Sequence, residues 1–230
     1  MFIRPILRGK DIREYSYNFA KKYIIAIPCG FTNKNAVGSP TNWFKTNYSS
    51  IYNYLVSTEE ALSKNRKSKT KGLYKRDDQG EYWWELRSCK YMDDFSKQKI
   101  MYGEIVQYPR FYLDEKGEYY PEATTFIMTG DNLVPILLLL NSKITFYIFK
   151  TFYAGGGLRS SGIRYKKAFL NNLKLPILNK NDIDFFYDRY LLIKKKGFDN
   201  IEKELIEIDK YISKMYGFSL EEYQYIIKSC

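Results

Sequence analysis

Polar residues almost vanish over residues 133–152, LVPILLLLNSKITFYIFKTF. A run of about 20 apolar residues is long enough to cross a bilayer. Asn141, Ser142, Lys143 and Lys150 would each need a partner in hydrocarbon, and the lysines would be costly there. The pattern therefore predicts a core helix of a soluble domain, buried on most of its circumference, and no membrane segment. Gly130-Asp131-Asn132 is placed to cap its entry.

The rest of the chain is organised around this run. Residues 23–27 (YIIAI) read as a short buried strand ended by Pro28 and Gly30, and the polar stretch 32–47 reads as a loop. Ile51, Tyr54, Leu55, Ala61 and Leu62 fall near helical spacing, which predicts a helix over 48–62. Residues 81–86, 99–106 and 124–128, rich in aromatic and branched side chains, predict strands. Residues 111–120, with a turn at Asp114-Glu115-Lys116-Gly117, predict a hairpin.

A short helix over 167–173 stops before Pro176, and three more follow at 182–196, 200–216 and 219–229. Gly197 and Gly217 stand at their C-terminal caps, and Ser219 with Glu222 forms a capping box. Ile201, Leu205, Ile208, Ile212 and Met215 make an amphipathic stripe that needs a partner surface, either this domain or another. The predicted fold class is α+β: mainly antiparallel sheet packed on a central buried helix, with a C-terminal helical extension. The predicted division is a recognition domain over 1–178 and the helical extension over 179–230, packed on that domain or on a partner.

Composition sharpens this. With 45% hydrophobic residues in 230, the chain buries a real core. A net charge of +11 favours a polyanionic partner, although Lys, Ile, Asn and Tyr enriched together are also what an AT-rich genome produces. The three cysteines, Cys29, Cys89 and Cys230, show neither zinc spacing nor a disulfide framework. No signal peptide is visible, so the expected compartment is the cytoplasm.

The chain has no histidine, which excludes Ser-His-Asp, Cys-His and His-metal chemistry. Neither a P-loop nor a strand-borne glycine loop with an Asn-Pro-Pro-aromatic motif occurs. The nearest candidates for a metal-dependent nuclease are Asp93-Asp94 and Glu202-Lys203-Glu204, both also explained as exposed charge. Binding chemistry is visible; catalytic motifs are not.

Two basic segments carry that binding chemistry. Residues 64–76, KNRKSKTKGLYKR, read either as a solvated loop or as an arm along phosphates, with Tyr74 as a stacking or minor-groove contact. Residues 154–162, AGGGLRSSG, form a glycine loop carrying Arg159, followed by Arg164-Tyr165-Lys166-Lys167.

Several phrases together resemble the TaqI-like C-terminal specificity domain of adenine-N6 DNA methyltransferases and fused (type IIG) restriction-modification enzymes. They are Arg4-Pro5-Ile6-Leu7-Arg8-Gly9-Lys10-Asp11-Ile12, Trp84-Glu85-Leu86-Arg87, Lys97-Gln98-Lys99-Ile100, Leu140-Asn141-Ser142-Lys143, Arg164-Tyr165-Lys166-Lys167 and Leu173-Lys174-Leu175-Pro176-Ile177. The tail from Ile208-Asp209-Lys210 to Met215-Tyr216-Gly217-Phe218-Ser219 is similar to the family's usual ending.

The resemblance implies a sequence-specific reader of double-stranded DNA that directs a methyltransferase, and in some members a nuclease. This chain lacks those catalytic parts, so it is not expected to be an enzyme alone. S-adenosylmethionine and Mg²⁺ would belong to the catalytic domains, not to this chain. Because Met1 falls near the family's domain boundary, a separate specificity polypeptide, a split gene product or an excised piece is expected. The competing functions are a standalone metal-dependent nuclease and an interaction module that does not bind DNA.

Charge and loop character, not the resemblance, choose the candidate contacts. Lys69, Lys71, Lys75, Arg76, Lys166 and Lys167 are assigned to phosphates, and Arg159, Ser160, Ser161 and Arg164 to base edges. Arg8, Lys10 and Asp11 suit a structural role at the domain junction as well as DNA contact, with Asp11 capping the turn or pairing with an arginine. Asn141 and Ser142 are expected to satisfy buried polar groups.

Overall fold

The computed structural model describes residues 2–64, 71–154, 162–198 and 200–230. Among the described residues 48% are in helix and 15% in strand, so helix outweighs the sheet that the residue pattern put foremost. The chain forms two compact units. Unit 1 comprises residues 1–4 and 23–92; unit 2 comprises residues 5–22 and 93–230. Strand β1 (Ile3–Leu7) starts in unit 1 and ends in unit 2.

Unit 1 contains β2 (Tyr23–Ile25), α1 (Phe31–Asn35), α2 (Pro40–Asn47) and α3 (Ser49–Lys64). The loop expected over 32–47 is thus mostly helix. Pro40 opens α2, where a missing N–H costs nothing, and Gly30, at φ +77°, turns the chain into α1. The strand expected over 81–86 is a tight turn instead. Its aromatic residues are consumed in stacking: Trp84 lies parallel to Phe44 at 4.9 Å and to Tyr82 at 4.8 Å.

The buried Glu85 organises this unit. Its carboxylate accepts from the backbone N–H groups of Gly30 (3.0 Å), Thr32 (2.8 Å) and Glu81 (3.1 Å). Trp84 Nε1 donates to Thr32 Oγ1 at 3.0 Å alongside. One carboxylate therefore ties the entry of α1 to the turn at 81–85.

Unit 2 contains β3 (Lys99–Gly103), β4 (Ile105–Val106), β5 (Phe111–Asp114), β6 (Tyr120–Pro121) and β7 (Thr125–Met128). β3 lies at the centre of an antiparallel sheet, pairing with β5 on one side and β7 on the other. The hairpin expected over 111–120 does not form: β6 pairs in parallel with β1, Ile6 opposite Tyr120. The reason is Asp114, which ends β5 by accepting from the N–H groups of Glu118 and Tyr119 and from the buried Lys99 ammonium at 2.6 Å.

The apolar run over 133–152 is broken into α4 (Leu133–Asn141) and α5 (Lys143–Ile148), which meet at 65° and are followed by a π-helical turn, Phe149–Tyr153. Ser142 makes the break, because it leaves helical geometry and its hydroxyl caps the second helix by accepting from Thr145 N–H. Asn141 satisfies both backbone groups of Phe111, at 3.0 and 2.9 Å. No single helix is long and apolar enough to cross a membrane among the described residues.

Strand β8 (Ile163–Arg164) and α6 (Lys167–Leu170) follow, then α7 (Lys180–Lys195), α8 (Glu202–Met215) and α9 (Leu220–Ser229). Gly197 and Gly217 adopt φ of +70° and +74°, as their capping roles require. Ser219 and Glu222 form the capping box. Phe186, Ile193, Ile208, Ile212 and Ile226 from these helices join Leu137, Leu138 and Ile144 in the main core. The stripe of α8 is thereby buried within unit 2.

Candidate nucleic-acid interface

In unit 1 the basic segment resumes at Lys71. Gly72 is buried and Leu73–Lys75 form a short turn held to α3 by Glu59, whose carboxylate accepts from Leu73 N–H at 2.7 Å. Lys71 and Lys75 are exposed. Lys71 reaches Asp77 with 2.5 and 2.7 Å contacts, a pair open enough to solvent for a phosphate to compete with it. Tyr74 meets Trp83 edge to face at 4.5 Å, which leaves part of its ring outside. Desolvation holds its hydroxyl above the usual range, helped by Tyr52, Glu59 and Glu60.

Arg76 has a different position from its neighbours. Its guanidinium donates to the carbonyls of Glu85 and Trp83 and approaches Asp78 at 3.7 Å. These bonds fix the turn that carries Glu85, so the structure assigns Arg76 to holding unit 1 together.

In unit 2 the glycine segment is anchored at both ends. Ala154, buried, donates its N–H to Phe149 O at 2.9 Å. At the other end Gly162 sits so close to Val106 that a Cβ would lie 3.2 Å from its carbonyl oxygen. Tyr165 is fully buried between Phe149 and Phe111, and its N–H donates to Glu104 O at 2.8 Å. Arg164 in β8 pairs with Ile105 and is half-buried, while Lys166 and Lys167 are exposed at the start of α6. The Lys166 ammonium lies 5.9 Å from the Phe169 ring centroid.

The buried tyrosine thus presents two adjacent cations on a rigid base, without internal acidic partners among the described residues. Lys69, Arg159, Ser160 and Ser161 lie outside the described residues. The remaining candidates divide between the units, Lys71, Lys75 and Arg76 in unit 1 and Arg164, Lys166 and Lys167 in unit 2.

Other residues bear on the surface as well. Unit 1 carries 12 of the 37 Lys and Arg but only 6 of the 26 Asp and Glu, so a third of the chain holds more than half of the net charge. Its contributors include Lys45, 5.1 Å from the Tyr52 ring centroid, and the exposed Arg87 and Lys90. Isolated cations escape a search for basic runs; a charge count for each compact unit finds them.

The phrase around Arg8 proves structural in its visible bonds. Arg8 forms a two-pronged pair with Asp11, at 2.8 and 2.7 Å, and its N–H also donates to that carboxylate. Asp94 pairs with Lys97, and Glu204 with Lys196. No group of three or more acidic or cysteine side chains that could hold a metal ion occurs among the described residues.

Exposed cations thus occur on both units, one small and aromatic and one large and mixed α/β. Residues 4–173 match the TaqI-like C-terminal specificity domain, and the chain belongs to that family. The match covers the opening phrase, both basic segments and the broken core helix. A catalytic domain is not detected in the chain. No curated protein matches it.

Proposed function

We propose that this chain reads a short sequence in double-stranded DNA for a restriction-modification system. In this reading it positions an adenine-N6 methyltransferase, a nuclease or both, carried by another domain or polypeptide. Membership of the specificity-domain family carries the proposal, and the exposed cations on both units support it. A methyltransferase that flips its target adenine out of the helix needs a second body to hold the duplex. S-adenosylmethionine and Mg²⁺ belong with the catalytic domains, and the site of action is the cytoplasm.

Lys69, Lys71, Lys75, Lys166 and Lys167 are proposed to contact phosphates. Arg159, Ser160 and Ser161, between the anchored ends of the glycine segment, are proposed to read base edges, with Arg164 alongside.

Selection of duplexes bound from a random pool, at low and at near-physiological salt, tests this directly. An enriched motif that survives the higher salt is expected, because contacts to phosphate alone fade steeply with salt. The absence of any enrichment, with the catalytic partner present as well as absent, would overturn the proposal. Arg159→Ala is expected to cost about 1–3 kcal/mol and to relax one position of the motif. A uniform loss across all sequences would return Arg159 to the phosphate contacts.

A further inference from the structure

Three aromatic rings of unit 1 form a connected row that reaches the surface. Tyr52 meets Trp83 at 5.8 Å between ring centroids, and Trp83 meets Tyr74 at 4.5 Å. Tyr52 and Trp83 both rest edge-on against the buried Trp84, at 5.8 and 5.4 Å. These two are partly exposed, and Tyr74, at the end of the row, is 43% exposed.

Tyr74 is the informative member. It lies outside the rings that close the core on Ile27, Phe44 and Trp84, so packing of that core does not account for it. Yet the backbone around it is pinned. Glu59 accepts from Leu73 N–H at 2.7 Å, and Lys75 N–H donates to Gly72 O at 3.2 Å. The contact with Trp83 is edge to face, which covers at most one face of the Tyr74 ring. A fixed turn thus holds out an aromatic face that folding leaves in water.

Cations flank the row. Lys45 lies 5.1 Å from the Tyr52 ring centroid, and Lys71 and Lys75 bracket Tyr74 in the chain; all three lysines are exposed. Lys45 and Lys75 form no salt bridge among the described residues. Lys71 meets Asp77 in an exposed pair that a phosphate can displace. Of the acids around Tyr74, Glu59 is committed to the Leu73 N–H, while Glu60 is exposed.

We infer that this row takes unpaired bases of a single DNA strand. Aromatic side chains offer every base a stacking partner whatever its identity, and the flanking lysines meet the backbone phosphates. In a duplex the base faces are already stacked on one another, so the row distinguishes the state of the strand, not its sequence. The stacking argument stands apart from the duplex reading above. The choice of DNA over RNA rests on that reading, through the family.

The test uses the full chain at near-physiological salt, where contacts to phosphate alone fade. All 3 tryptophans lie in unit 1, so quenching of their emission follows binding there. An oligothymidylate of about 12 nucleotides is compared with an abasic strand of equal length, which keeps the phosphates and lacks the bases. The oligothymidylate is expected to quench the emission and to bind roughly tenfold more tightly than the abasic strand. Tyr74→Leu is expected to erase that preference, and Tyr74→Phe, which keeps the ring, to retain it. Lys75→Ala is expected to weaken both strands alike.

Equal binding of both strands, no binding of either, or an unchanged preference in Tyr74→Leu would each overturn the inference. Tighter binding of an oligouridylate would overturn the choice of DNA. A duplex motif selected alongside any of the first three results would leave the duplex reading standing.

Discussion

Unit 1 closes on Ile27, Phe44 and Trp84, with Tyr82 and Tyr48 stacked on them and Tyr52 edge-on, whereas unit 2 closes on leucines and isoleucines from α4, α5 and the C-terminal helices. The contrast follows from size. A unit of some 70 residues has little interior, and large rings, each burying about 150–250 Å², fill it with few side chains. Fully buried charge fixes loops in both units, Glu85 in unit 1 and the Lys99–Asp114 pair in unit 2. The small unit spends backbone N–H donors on its charge; the large one can afford an ion pair. Stability and charge are thus separated: the unit with the smaller core carries the denser positive surface.

The largest loss is expected from removing one half of the ion pair. Lys99→Met leaves Asp114 charged and buried, and should cost about 3–5 kcal/mol in denaturant unfolding followed by helical circular dichroism. A loss under 1 kcal/mol would mean that the pair does not organise the 95–119 region.

Glu85→Ala strips the acceptor from three backbone donors and should cost on the order of 3 kcal/mol. All three tryptophans, Trp43, Trp83 and Trp84, lie in unit 1, so tryptophan emission should report this loss selectively. Equal shifts in emission and in helical signal would show the two cores to be one cooperative system.

Acid should sharpen the difference further. Asp209, whose carboxyl is raised to about 6 by burial, favours folding while protonated. Its contribution is present below the unfolded value near 4 and is lost as pH rises through about 6. Unit 2 should lose on the order of 2 kcal/mol across that window, and Asp209→Asn should flatten the profile; an unchanged slope would contradict the assignment. The smallest effect belongs to the surface. Lys166→Ala should weaken binding to all duplexes alike and lower the salt slope by about 1, with no change in the melting of either unit.

Much of the fold could be read from local signals. The caps at Ser219, Gly197 and Gly217, the α8 stripe and the strands β3 and β7 all depend on residues within a turn or two of one another. The failures share a cause at longer range. Asp114 looks like a hairpin turn until Lys99, fifteen positions earlier, is found beneath it. EYWWEL looks like a strand until Trp84 is seen to stack on Phe44 of α2 and to meet Tyr52 of α3 edge to face.

The break at Ser142 was available locally, since a serine three residues before a threonine N–H is a helix cap, but the hydrophobic run concealed it. Of the candidate contacts, exposure of Lys71, Lys75, Lys166 and Lys167 follows from sequence. The internal use of Arg76 does not, because its carbonyl partners come from a turn that the strand prediction had removed.

The interleaving of the two units along the chain also sets an order of assembly during synthesis. Every residue of unit 1 has left the ribosome once position 92 has emerged, so its aromatic core can close early. The opening segment of unit 2, residues 5–22, cannot. Ile6 waits for Tyr120, Leu7 for Thr125, and Tyr15 for the wall supplied by residue 209 of α8. Contacts of such long sequence separation form slowly and leave apolar surface exposed meanwhile. The nascent chain therefore carries a finished, positively charged unit in its middle while its two flanks are still searching for each other.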